Sequence, residues 1–242
     1  MFELYKKEIA TFFCSATGYL VIGVFLILTW LLLWVIPSEF NLIYGGYVSL
    51  APLFDVAPWI YLFLVPAISM RLISEERKLG TWELLLIRPT GLWKIIFAKY
   101  LAGLSLVILS IIPTIMYAVL LANLASEGSY IDLGGTAGCY IALVLLAATY
   151  MSVGIFASSL TDNQIVAFVV AAALCAMLYV GFDMLGLIAP QSDLSAFVSE
   201  LGIASHYSSV SRGVVDSRDI AYFISISTLF LLATVGLLSK KK

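Results

Sequence analysis

Ionisable side chains crowd most closely between Arg71 and Arg88, where Glu75, Glu76, Arg77, Lys78 and Glu83 fall within one short stretch. The chemistry of such a segment is recognition by charge and shape. Gly80 is placed to take the left-handed conformation that stops a helix. Thr81 is expected to cap the following helix through its hydroxyl, with Glu83 near that helix's positive end. Trp82, Leu85 and Leu86 share a face at i, i+3, i+4 spacing. Pro89 should end the short helix and Thr90 cap the next one. A charged helix end, a tight turn and a short amphipathic helix on a membrane surface follow.

The remaining polar positions are sparse. Asp162-Asn163-Gln164 reads as a tight turn in which Asp162 or Asn163 caps the next helix. Asp183 follows roughly 20 uncharged residues, about one bilayer thickness, so it is expected at the far boundary, where it is a candidate substrate-path residue. His206 is the lone histidine and reads as a surface or packing residue. Arg212 and Asp216 would form a weak i, i+4 pair if that stretch is helical. Cys14, Cys139 and Cys175 lack metal-ligand spacing and read as packing residues, so no metal site is expected. No G-x-x-x-x-G-K-[ST] loop is present to cradle phosphates, so ATP with Mg would have to sit on a partner chain. An intramembrane enzyme would need acid–base, nucleophilic or metal groups converging at membrane depth, and the spans hold almost no ionisable side chain.

The elements that must position these residues are membrane helices. Of the 242 residues, 62% are hydrophobic and 12% charged, whereas a soluble domain carries roughly 25% charged residues. Reading about 20 apolar residues per span gives six, at about 16–36, 56–76, 100–122, 136–160, 164–188 and 220–238. The whole chain, 1–242, is expected to form one transmembrane domain, with a charged loop at 75–88 between the second and third spans and an external segment at 189–217. The run from Ile9 to Ser38 is long enough to remain as an anchor instead of a cleaved leader. Leu42–Phe54, interrupted by Gly45, Gly46 and Pro52, reads as an interfacial stretch. Short helices over the bundle mouth are expected in 190–216. Pro66 and Pro113 lie inside spans and tend to bend them. Trp59, Trp93 and Tyr130 sit at belt positions.

Eleven of the thirteen basic residues fall on one side: Lys6 and Lys7, then Arg71, Arg77, Lys78, Arg88, Lys94 and Lys99, then the Lys240–Lys242 tail. The other side holds Arg212 and Arg218. With an even number of spans, this bias puts both termini in the cytoplasm.

The pattern Pro66-Ala67-Ile68-Ser69-Met70-Arg71, then Glu75-Glu76-Arg77 and Gly80-Thr81-Trp82-Glu83-Leu84-Leu85-Leu86 before Pro89, resembles the signature of ABC-2-type transporter permeases. The order of elements is similar across nearly the whole chain. The resemblance implies an all-α, six-span membrane fold whose cytoplasmic coupling helix, between the second and third spans, seats in a groove of a nucleotide-binding subunit. Residues Glu75, Glu76, Arg77, Gly80, Thr81, Trp82, Glu83, Leu85 and Leu86 would form that contact. A second, smaller partner contact at Asp162 and Asn163 is implied by the resemblance alone. It further implies a homodimer, or a heterodimer with a second membrane permease, surrounded by lipid in a bacterial inner membrane, with no nucleic-acid partner.

Three further strings are similar to the gliding-motility-associated ABC permeases of the GldF type: Ala57-Pro58-Trp59-Ile60, Ile155 to Phe168, and His206-Tyr207 followed by Ser211 to Asp219. Exporters of lipid, polysaccharide or drugs and nitrous-oxide-reductase maturation permeases share the fold and stand as alternatives. A membrane scaffold without a transport cycle is a further alternative, which ATPase binding through 75–87 would separate.

Overall fold

A computed structural model describes residues 1–42, 49–87, 91–124, 132–188, 200–213 and 216–240. Among these residues the chain is all helical, without strands. Helix α1 (Phe2–Cys14) leads into α2 (Ala16–Trp30), which continues as a π-helical turn, Leu31–Val35. Then follow α3 (Ala51–Lys78), the short α4 (Thr81–Ile87), and α5 (Leu92–Ile111), which passes through a 3₁₀ turn at Ile112–Thr114 into α6 (Ile115–Leu124). Helix α7 (Leu133–Leu160) precedes α8 (Gln164–Ala176), whose π turn Met177–Gly181 joins it to α9 (Phe182–Ile188). The last two are α10 (Ile203–Val210) and α11 (Ser217–Ser239).

Among the described residues, six helical segments are long and apolar enough to cross a bilayer: Ala16–Val35, Ala51–Lys78, Leu92–Asn123, Leu133–Leu160, Gln164–Gly186 and Ser217–Ser239. Both termini therefore lie at one end of the bundle, termed here the basic end. Helices α3 and α7 form its centre. In their most apolar stretches 72% and 67% of residues are buried, against 22% in the spans built on α8 and on α11. Lipid is as apolar as leucine, so peripheral spans keep apolar faces outward and the bundle is held by close packing. Gly154 of α7 shows how close: a Cβ there would collide with the side chain of Ser69 on α3.

Three boundaries differ from expectation. The apolar run from Ile9 to Ser38 is broken at Ser15, which is extended (φ −103°, ψ 156°) and separates amphipathic α1 from the first span. In the segment expected to be interfacial, the chain is already helical from Ala51. Pro52 starts that helix instead of interrupting it, because the first turn has no intrahelical use for its missing N–H. Finally, the third span begins at Leu92, so Lys94 and Lys99 belong to the helix and not to a loop. Pro113 lies in the 3₁₀ turn between α5 and α6, whereas Pro58 and Pro66 both lie within α3. Tyr130, residues 189–199, and the expected stop and cap at Pro89 and Thr90 lie outside the described residues.

Candidate functional site

The polar end of α3 organises the basic end. Its last turn carries Arg77 and Lys78, whose charge complements the negative end of the helix dipole. The helix stops where Leu79 N–H donates to the Glu75 carbonyl at 2.9 Å and Gly80 N–H to the Arg77 carbonyl at 3.1 Å. Gly80 has φ +69°, the left-handed conformation expected of it, with open space around it. Thr81 departs from its expected role. Its hydroxyl donates back to the Glu76 carbonyl at 3.2 Å, so it fastens the start of α4 to the end of α3 instead of capping α4.

Helix α4 has two unlike faces. Trp82 is buried, and Leu85 is half-buried against the same core. The side chain of Leu86 lies outside the described residues. On the other face Glu83 is exposed, with Leu84 at 64% and Ile87 at 78% exposure, beside Leu79 at 68%. The sequence reading placed the apolar face on Trp82, Leu85 and Leu86 and missed this second apolar set. In a seven-residue helix with so few polar side chains, periodicity alone does not say which apolar residues turn inward.

Arg77 joins the two stretches singled out at this end. Its Nε lies 2.9 Å from Asp162 Oδ1, and its Nη1 donates to the Ser159 carbonyl at 2.9 Å. Asp162 is thus an ion-pair partner, while Asn163 caps α8 by accepting from Ile165 N–H at 2.9 Å. One turn deeper, the Ser158 hydroxyl donates to the Met70 carbonyl at 2.9 Å and accepts from Ser74 N–H at 3.0 Å and Ile73 N–H at 3.2 Å. It occupies the place where α3 would bond to itself, an arrangement associated with helix bending. The Ser74 hydroxyl also donates to the Met70 carbonyl.

A buried ion cluster fixes α1 to the same element. Lys99, with 1% of its side chain exposed, sits on α5 with Nζ 3.0 Å from Glu8 Oε1 and 2.8 Å from Glu76 Oε2. Lys7 reaches Glu76 Oε1 at 3.3 Å and Glu8 Oε1 at 3.7 Å. Tyr5 and Ser105 share a hydrogen bond of 2.8 Å between α1 and α5. A cavity of about 300 Å³ adjoins the cluster, with Arg71 and Glu75 also on its wall. Sequence reasoning counted Lys99 as a loop cation. A lysine about 10 Å into a helix at 1.5 Å per residue is tolerated because two carboxylates from other helices meet it. Both acids lie far from Lys99 in the sequence, Glu8 by 91 residues, so the cluster leaves no local sequence signal.

At the opposite end, Asp183 lines a cavity of about 540 Å³ together with Asp55, Trp59, Tyr179 and Tyr207. His206, expected to lack a carboxylate partner, has Nδ1 2.6 Å from Asp219 Oδ1 and stacks on Tyr222 with ring centroids 3.8 Å apart. The partner arrives from the next helix, across the turn after α10. Arg212 and Asp216 do not share a helix: Arg212 lies in that turn, and Asp216 caps α11 by accepting from Arg218 N–H at 3.0 Å.

Six apolar helices, two of them central, with a short surface helix between the second and third spans, describe a multi-pass membrane protein. The sequence model of the ABC-2 family transporter proteins matches residues 4–238. The chain belongs to this family. No curated protein matches it. As a family member it is the membrane subunit of a transporter, a class that associates with an ABC ATP-binding subunit.

Proposed function

We propose that this transporter subunit is driven by a separate ATPase that docks on the outward face of α4 from the cytoplasm. The observation that carries the reading is the two-sidedness of that helix. Trp82 holds it to the bundle, while Glu83, Leu84 and Ile87 are left in the open beside Leu79. Exposed apolar clusters rimmed by charge mark contact sites.

Force applied to α4 would pass into α3 through the Thr81 and Gly80 turn. Arg77 and Ser158 would pass it on to α7 and α8, and Glu76 and Lys99 to α5 and α1. By linkage, a bundle rearrangement coupled in this way biases ATP binding in return. Residues 75–88 are the coupling region in this reading. ATP and Mg reside on the partner, and the subunit works as a dimer, with itself or with a second permease, in a bacterial inner membrane with both termini cytoplasmic. The three motif strings around Trp59, Asp162 and His206 support the gliding-motility-associated type.

Co-purification with the candidate ATPase tests the reading. Glu83→Arg and Gly80→Pro are expected to lose the complex, or its stimulated ATP hydrolysis, while the subunit still elutes as a folded species. Unchanged association and turnover in both variants would reduce 75–88 to an interfacial loop and favour a scaffold.

A further inference from the structure

The opposite end of the bundle holds a cavity whose chemistry differs from that of every other concavity described. It measures about 540 Å³, and its wall includes Asp55 of α3, Asp183 of α9, and the rings of Trp59, Tyr179 and Tyr207. Among the described residues, no lysine, arginine or histidine lines it. We infer that this cavity binds an organic ammonium ion of the choline type, as a free solute or as a lipid headgroup.

The aromatic wall decides the ligand class. Trp59 and Tyr179 meet edge to face with centroids 5.7 Å apart, and Tyr179 meets Tyr207 at 6.5 Å and 63°. The Tyr207 hydroxyl donates to the Phe54 carbonyl at 2.7 Å, which holds that ring in place on the wall. Tyr179 is presented by the π turn Met177–Gly181, and such turns recur at functional sites. Angled aromatic faces around a cavity attract a large, weakly hydrated cation through their ring quadrupoles.

Asp55 and Asp183 supply the opposite charge, and neither has an ion-pair or hydrogen-bond partner among the described residues. Asp55 also lines an adjoining cavity of about 330 Å³ that carries Glu39, so the approach is acidic too. Arg212 lines another cavity, shared with Asp132. A bare metal ion fits less well: among the described residues no three histidine, cysteine, aspartate or glutamate side chains converge to hold one.

The test is equilibrium binding of radiolabelled choline to the full chain, purified in a maltoside detergent without nucleotide. Because no ATPase is present, the result is independent of the coupling reading. Saturable choline binding is expected, with the neutral isostere 3,3-dimethylbutan-1-ol failing to compete. Asp55→Asn and Asp183→Asn should each weaken it by about tenfold, with helical content and elution unchanged.

Absence of saturable binding to the wild type, equal competition by the neutral isostere, or undiminished binding in the double Asn variant would overturn the proposal. Repeating the measurement in nanodiscs separates the sources. Choline sites already filled in phosphatidylcholine discs but open in phosphatidylglycerol discs identify a lipid headgroup, and equal binding in both identifies a free cation.

Discussion

The two ends of this bundle use charge differently. At the basic end, Glu8, Glu76 and Lys99, and Arg77 and Asp162, pair between elements, while Lys6, Lys78, Glu83 and Lys94 stay exposed beside Leu79, Leu84 and Ile87. At the other end His206 pairs with Asp219, but Asp55 and Asp183 have no ion-pair partner among the described residues and stand on the wall of an aromatic cavity. Paired charges stiffen the joints between helices, so a push at one point is shared by several spans. Unpaired carboxylates do nothing for the fold and leave their charge available to a ligand. The contrast separates an end built to transmit from an end built to receive.

The sharpest way to break the contrast is at its most buried charge. Lys99→Met leaves Glu8 and Glu76 facing each other, with the half-exposed Lys7 as their remaining ion-pair partner among the described residues. Removing one partner of a buried pair costs about 3–5 kcal/mol, with Lys7 holding the loss to the lower part of that range. Thermal unfolding in detergent should show it. The triple variant Lys99→Met, Glu8→Gln, Glu76→Gln should recover much of the loss, since the one charge it leaves unpaired, Lys7, is half-exposed. If Lys99→Met alone unfolds like the wild type, the cluster is not a joint.

Intermediate effects are expected around α3. Ser158→Ala removes a hydroxyl that satisfies three backbone groups of α3, but Ser74 N–H can then bond the Met70 carbonyl as in an ordinary helix. The expected loss is about 1 kcal/mol, together with altered coupling of ATP hydrolysis to transport. Gly80→Ala is similar in size for another reason. A Cβ meets nothing there, so the cost of about 1 kcal/mol is the left-handed backbone alone. A neutral Gly80→Ala would mean that the turn relaxes freely.

The smallest effect belongs to Arg77 and Asp162. Asp162 is largely exposed, so a double-mutant cycle should give no more than about 1 kcal/mol, shrinking as salt is added. A coupling several times larger would indicate that this turn is covered by a partner in the working complex.

The spans were legible because twenty apolar residues in a row have few other uses, and Gly80 because a helix end followed by a new helix needs a left-handed residue. The same local logic gave a cap at Asp162 or Asn163 without choosing between them, and the structure places it at Asn163. Less was legible wherever the deciding neighbour is remote in sequence. Lys99 looked like a loop cation until Glu8 and Glu76 were found beside it, and His206 looked unpartnered until Asp219 arrived from the next helix. Helix α1 was hidden because the apolar residues of its C-terminal half run straight into the first span, and the break rests on the extended backbone at Ser15. The outward set of Leu84 and Ile87 was missed because α4 is too short for its periodicity to choose a face.

The most direct test of the docking assignment is site-specific photocrosslinking in the assembled transporter, with the probe placed in turn at Leu84, Ile87 and Trp82. Docking through the outward face predicts that positions 84 and 87 label the ATP-binding subunit, while position 82 labels the chain itself. Labelling of lipid alone from positions 84 and 87, in a preparation that retains ATPase activity, would contradict it.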